Sequence, residues 1–108
     1  MIRTIGREQL LGKIRHDEKM SLVEISPLET YDRVHLPGAV HLSGAEVSRS
    51  VGGELPIKGV QIILYSLGGD EAMQVARQLE AMGYREIFYY REGKDDWLQA
   101  GLPVDQVA

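Results

Sequence analysis

The sequence contains no cysteine among its 108 residues. This absence excludes disulfide bonds and thiolate metal sites, and it removes the usual sulfur nucleophile. Positive charge is also scarce, because 12 Lys and Arg stand against 16 Asp and Glu and leave a formal net charge of −4. Nucleic acids and acidic membrane surfaces are bound largely through clustered positive charge, so neither is an expected partner.

Long hydrophobic runs are missing as well. No apolar stretch approaches the roughly 20 residues needed to span a bilayer, and residues 1–6 lack the apolar core of a signal peptide. We therefore expect a cytoplasmic protein. Apolar residues make up 44% and charged residues 26% of a chain without repeats or linker-like segments. This balance predicts that residues 1–108 form a single globular domain.

The hydrophobic pattern predicts strands that alternate with helices. The predicted strands are residues 21–26, 40–42, 60–65 and 87–90. The predicted helices are residues 7–15, 28–32, 45–50, 70–82 and 94–99, with Gly52 and Gly53 ending the third. Such alternation indicates right-handed βαβ units and therefore an α/β fold with a mostly parallel sheet.

The strongest strand pattern leads directly into a glycine-containing loop, Ser66-Leu67-Gly68-Gly69, and then into the most regular helix. In parallel sheets, ligands bind beyond the carboxyl ends of the strands, where loops enter helix N-termini. Backbone N–H groups converge there and the helix dipole is positive, which suits anions. This loop is therefore the first candidate for a functional site.

Three segments, taken in order and spacing, resemble the rhodanese family. They are residues 22–26 with 29–31 and 35–39 (LVEIS, ETY and HLPGA), residues 62–65 with the loop and helix that follow, and residues 90–93 with Trp97 and 100–104 (YREG and AGLPV). The resemblance covers about residues 22–104. It implies a mostly parallel central sheet of about five strands, flanked by helices on both faces. It also implies sulfur-transfer ancestry, in which a cysteine thiolate carries a persulfide within a cradle of backbone N–H groups.

Matched residue by residue, the catalytic cysteine of the family falls on Ser66. A serine hydroxyl is not an anion near neutral pH unless a base removes its proton, and His16, His35 and His41 all precede the loop. The several other departures from the family pattern favour natural divergence over a single engineered replacement. The strand Asp and Arg of the family, for example, fall on Glu24 and Ser26.

The loop also carries a charge of opposite sign to that of the active family members it resembles. The arginine that active members commonly carry in the loop falls on Glu71, next to Asp70. Two carboxylates oppose a bound dianion, although they also suit the N-cap and first turn of a helix. We therefore predict a degenerate active-site loop, with no catalytic residue, formed by Ser66, Leu67, Gly68, Gly69, Asp70, Glu71 and Ala72.

These observations predict a catalytically silent rhodanese-like module for protein interaction or small-ligand binding, without a cofactor. Two enzymatic alternatives stay open: a sulfurtransferase-related enzyme that acts with a partner's cysteine, and a weak hydrolase in which His35 or His41 activates Ser66. A scaffold within a larger complex, as a homodimer, is a third alternative. The sequence does not identify the protein partner.

Other conspicuous side chains are expected to be structural. His35 and His41 could hold a metal only with ligands from elsewhere, so no metal site is predicted. Trp97 is expected to anchor the last helix in the core. Residues 87–90 are expected to form a strand with one buried face. The sequence Ser48-Arg49-Ser50 is expected to be a solvated turn.

Overall fold

The computed structural model describes residues 1–42 and 60–106. Its strands are β1 (Ile2–Thr4), β2 (Met20–Ile25), β3 (Val40–Leu42), β4 (Gln61–Tyr65) and β5 (Ile87–Tyr89). Its helices are α1 (Arg7–Arg15), α2 (Leu28–Arg33), α3 (Glu71–Ala81) and α4 (Gly93–Gln99). The helix predicted over residues 45–50, the glycines that end it and the turn at residues 48–50 lie outside the described residues.

The five strands form one sheet in the order β1-β5-β4-β2-β3, and every neighbouring pair is parallel. The predicted parallel α/β fold is therefore confirmed. Strand β4 lies at the centre and pairs with β2 from Met20↔Gln61 to Glu24↔Tyr65. The carboxyl ends of β2 and β4 consequently lie side by side, at the edge where the candidate loop begins.

Both faces of the sheet carry a hydrophobic core. In β4, Ile62 and Leu64 pack into one cluster, whereas Ile63 and Tyr65 pack into the other. This alternation follows from the two-residue period of a strand. Helix α3 covers the first cluster, and α1 and α4 supply Leu10, Leu11 and Trp97 to the second. Among residues 1–42 and 60–106, no helix is long and apolar enough to cross a membrane.

The sequence pattern does not predict β1, because a strand of three residues is too short to show alternation. Its position depends on pairing with β5, from Ile2↔Ile87 to Thr4↔Tyr89. The other predicted elements within the described ranges end within one residue of the observed bounds.

The expectation of one buried face for residues 87–90 is wrong. Ile87 and Tyr89 belong to one cluster, and Phe88 packs against the other. Tyr90, which follows the strand, is also fully buried. The strand is covered on both sides because β5 lies inside the sheet, between β1 and β4.

Candidate functional site

The candidate loop, residues 66–70, connects β4 to α3 at the carboxyl edge of the sheet. Ser66 is buried, with 3% of its surface exposed, whereas residues 67–70 are exposed. Within the described chain, the N–H groups of residues 67–70 donate to no backbone carbonyl. Together with the positive end of the α3 dipole, such groups favour a negatively charged ligand.

Two carboxylates oppose this preference. Asp70 occupies the N-cap position of α3, and Glu71 lies in its first turn. Asp70 therefore occupies the predicted N-cap position, but its side chain makes no capping hydrogen bond. Both side chains are exposed and interact favourably with the helix dipole. Both carboxylates therefore place negative charge at the start of α3, beside the loop.

The first turn of α4 is hydrogen-bonded to the start of the loop. The N–H of Lys94 donates to the Ser66 carbonyl at 2.8 Å, and the N–H of Asp95 donates to the Leu67 carbonyl at 3.1 Å. The Tyr89 hydroxyl donates to the Gly69 carbonyl at 2.9 Å. These bonds use three carbonyls of the segment from Ser66 to Gly69 and none of the N–H groups of residues 67–70.

Gly93 permits this close approach, and Gly93→Ala is expected to destabilise the protein by about 1–3 kcal/mol. Its φ of +73° disfavours any side chain, and an added Cβ would lie 2.7 Å from the Ser66 carbonyl oxygen. Urea denaturation measures the effect. Gly12→Ala is the matched control, because a Cβ at Gly12 meets no atom within 4 Å and alanine favours the helix. Equal stability of Gly93→Ala and the unaltered protein would contradict the prediction.

A buried ion pair lies beside the loop. Glu24 at the end of β2 and Lys94 in α4 are 0% and 1% exposed. The Lys94 ammonium lies 3.0 Å from Oε2 of Glu24 and also donates to the Thr30 carbonyl at 2.9 Å. Because the backbone N–H of Lys94 holds the Ser66 carbonyl, this one residue joins the loop to both β2 and α2.

Two hydroxyl groups complete the bonding of the Glu24 carboxylate. Tyr65 donates to Oε1 at 2.7 Å and Ser26 donates to Oε2 at 2.5 Å. The Tyr65 oxygen in turn accepts the N–H of Leu36 at 3.1 Å. Burial, followed by the negative charge of Glu24, raises the pKa of Tyr65 far above its ordinary value. The Tyr65 hydroxyl therefore stays protonated and acts as a donor, not as a base.

Sequence reasoning missed Lys94. The available signal was Glu24 itself, since an acid within an apolar strand needs a partner when it is buried. The resemblance places the cation of the family at position 26, where this chain has a serine. The structure supplies the positive charge from Lys94 instead, on an element that is distant in sequence.

The side chains of the described histidines and of Lys94 are hydrogen-bonded to groups other than Ser66. One ring nitrogen of each histidine is hydrogen-bonded to a backbone carbonyl. His16 contacts the Gly12 carbonyl, His35 the Tyr31 carbonyl and His41 the Ser26 carbonyl. His35 also stacks on the Tyr31 ring at 4.0 Å. Lys94 is committed to Glu24 and Thr30. Within the part of the chain that the structure describes, no hydrogen bond joins the Ser66 hydroxyl to a histidine or to Lys94.

A further prediction concerns a residue away from the loop. Trp97 is fully buried, which confirms it as a core anchor of α4. Across residues 1–42 and 60–106, no group of three or more His, Asp or Glu is arranged to hold a metal ion.

The chain is similar in sequence to curated proteins. It is 26% identical over 96 residues to a putative sulfur carrier protein of Bacillus subtilis, covering 89% of this chain and 51% of that protein. It is 31% identical over 107 residues to an HTH-type transcriptional regulator of Mycobacterium tuberculosis, covering 96% and 45%. The chain thus spans about half the length of these curated relatives.

Solved structures share the fold at low sequence identity. The BH2092 protein of Bacillus halodurans superposes with a TM-score of 0.87 at 21% identity, over 97% of this chain and 77% of that one. A thiosulfate sulfurtransferase of Pseudomonas aeruginosa gives 0.85 at 17% identity, over 99% of this chain and 21% of that one. A sequence profile of the rhodanese-like domain matches residues 7–100. The chain therefore belongs to the rhodanese-like domain family.

Proposed function

We propose that this chain is a catalytically silent rhodanese-like module that serves in protein interaction or small-ligand binding, in the cytoplasm. The observation that carries the proposal is the complete absence of cysteine, with Ser66 standing where β4 enters the loop. Sulfur transfer needs a thiolate that accepts sulfur and releases it again. A serine oxygen does not replace it, because a neutral hydroxyl is a poor nucleophile without a base.

The electrostatics of the loop support the same proposal. Asp70 and Glu71 stand at the start of α3, close to where the N–H groups of residues 67–70 would receive an anionic donor. Each carboxylate opposes a dianion at about 4–6 Å by on the order of 1 kcal/mol in a partly wet site. Restoring the thiol alone therefore leaves the binding of a donor weak.

The lengths of the relatives support a role as one module among others. The two curated relatives are about twice as long as the matched region. One is named as a sulfur carrier protein and the other as a transcriptional regulator, so domains of this family occur inside proteins with different tasks. A domain without a nucleophile can still contribute a docking surface or a ligand site to such an assembly.

The test is transfer of sulfur from thiosulfate to cyanide. We expect the unaltered protein to show no turnover above the buffer blank, Ser66→Cys to show weak turnover, and Ser66→Cys/Glu71→Arg to show more. The physical reason is that the first change supplies the thiolate and the second reverses one opposing charge. Turnover by the unaltered protein would overturn the proposal.

Calorimetric titration with thiosulfate separates binding from chemistry in the same experiment. Glu71→Arg is expected to strengthen binding by roughly 5–30-fold, the equivalent of about 1–2 kcal/mol. Glu86→Arg makes the same change of charge beyond the far end of α3 and serves as the control. If both variants gain equally, net charge explains the effect and the argument from loop electrostatics fails.

A further inference from the structure

A cavity lies at the amino-terminal edge of the strands, opposite the Ser66 loop. Its volume is about 350 Å³, within the range of small-molecule sites. Met20, Leu22 and Pro37 provide apolar lining, and Lys13, Asp17 and Glu18 provide charge. Met20 is the first residue of β2, whereas the Ser66 loop begins after the last residue of β4. The two regions are therefore at opposite ends of the sheet.

Two of the three charges in this cavity neutralise each other. The Lys13 ammonium lies 3.0 Å from Oε1 of Glu18, donates to the Gln61 side-chain oxygen at 2.6 Å and stands 5.3 Å from the centre of the Phe88 ring. The hydrogen bond from Lys13, followed by that from Gln61, lowers the pKa of Glu18. Glu18 and Gln61 therefore engage the Lys13 ammonium, and the Lys13–Glu18 pair is neutral overall.

Asp17 supplies the remaining charge of the cavity lining. It follows the C-terminus of α1 with a φ of +51°, a conformation in which glycine is the usual residue. Its N–H bonds the Ile14 carbonyl, but its carboxylate has no ion pair or hydrogen bond with any described residue. An acid at a helix C-terminus also meets the negative end of the dipole. The carboxylate thus meets an unfavourable helix dipole without a partner among the described residues, and Asp17 lines the cavity.

We propose that this cavity binds a small organic monoamine, with its apolar body against Met20, Leu22 and Pro37 and its ammonium group at the Asp17 carboxylate. The lining combines apolar side chains with one unpaired carboxylate, which matches a ligand of one positive charge and one compact hydrophobic group. The site does not depend on the loop at Ser66, so the outcome of the sulfur-transfer test does not bear on it.

The probe is phenethylamine, compared with the neutral 2-phenylethanol and the anionic 3-phenylpropionate. Backbone amide chemical shifts are followed during titration of the full chain. We expect the amine to shift the amide signals of residues 13–22 and of Gly38 with a dissociation constant in the millimolar range. The alcohol is expected to bind about 2–5-fold more weakly and the carboxylate more weakly still, because an exposed ion pair contributes little. Equal affinity for amine and alcohol, or no shifts in these segments, overturns the proposal.

Variants of Asp17 separate a ligand site from a structural role. Asp17→Asn keeps a side chain that tolerates positive φ, and it is expected to lower amine affinity to that of the alcohol while leaving alcohol affinity unchanged. Asp17→Gly is expected to raise the melting temperature and to abolish the preference for the amine. Asp95→Asn, near the Ser66 loop, is the control and should change neither the amine affinity nor the alcohol affinity. A lower melting temperature for Asp17→Gly, or a retained amine preference in Asp17→Asn, would show that the carboxylate serves the fold instead.

Discussion

Lys94→Met is expected to destabilise the protein by about 3–5 kcal/mol, the usual result of removing one partner of a buried ion pair. The substitution keeps most of the side-chain volume but leaves the Glu24 carboxylate, which is 0% exposed, without its cation. The Thr30 carbonyl loses its donor as well. Urea denaturation near neutral pH measures the loss through the midpoint and the slope.

A double-mutant cycle tests whether the loss comes from the unpaired charge. Glu24→Gln removes that charge and keeps an oxygen that can accept the Tyr65 hydroxyl. The double variant is therefore expected to be less destabilised than the two single losses added together, with a coupling energy of about 1–3 kcal/mol. Lys19→Met is the matched control, because Lys19 is exposed and its replacement should change stability by less than about 0.5 kcal/mol. Additive losses in the cycle would refute the ion-pair explanation.

Trp97→Ala is expected to lower stability by about 3–5 kcal/mol, the range for deleting a large buried aromatic side chain. Trp97 is fully buried, and its ring meets that of Tyr90 edge-on at 6.2 Å. Its indole N–H donates to the Pro103 carbonyl at 2.8 Å, so the substitution leaves both a cavity and an unpaired acceptor. Thermal and urea unfolding of the variant measure the effect.

Two control variants divide the Trp97 effect into its parts. Trp97→Phe keeps an aromatic ring in the core but loses the N–H donor, so an intermediate loss of about 1–3 kcal/mol is expected. Leu98→Ala changes the neighbouring residue on α4, which is 41% exposed, and should be close to neutral. A denaturation midpoint for Trp97→Ala near that of the unaltered protein would mean that α4 does not depend on this side chain.

The prediction of elements succeeded where periodicity is local. The apolar spacing in α1 and α3 repeats over several turns, and both helices were predicted to within one residue of their ends. The central strand β4 was recognised because it is apolar on both faces. Strand β1 was missed for the opposite reason, since its three residues carry no pattern and only pairing with β5 makes them a strand.

For the candidate site, too, the sequence predicts the local features but not those that depend on packing. The position of Ser66 at the junction of a strand and a helix follows from sequence order alone, as does the acidic start of α3. The burial of Ser66 beneath an exposed loop does not, because burial depends on α4 packing behind it. The correspondence of Ser66 to the cysteine of the family stays a prediction that the Ser66→Cys experiment addresses.

By itself, the sequence determined the chemistry that the protein lacks and the order of its main elements. The absence of cysteine removes thiolate chemistry from this chain in any fold, and short-range periodicity sets helices and strands because their hydrogen bonds and side-chain spacing are local. Only the tertiary structure decided which charges meet. Glu24 and Lys94 stand 70 positions apart, and Gly93 approaches a carbonyl of a different segment. Contacts of this kind arise from packing across the sheet, and no local pattern in the chain encodes them.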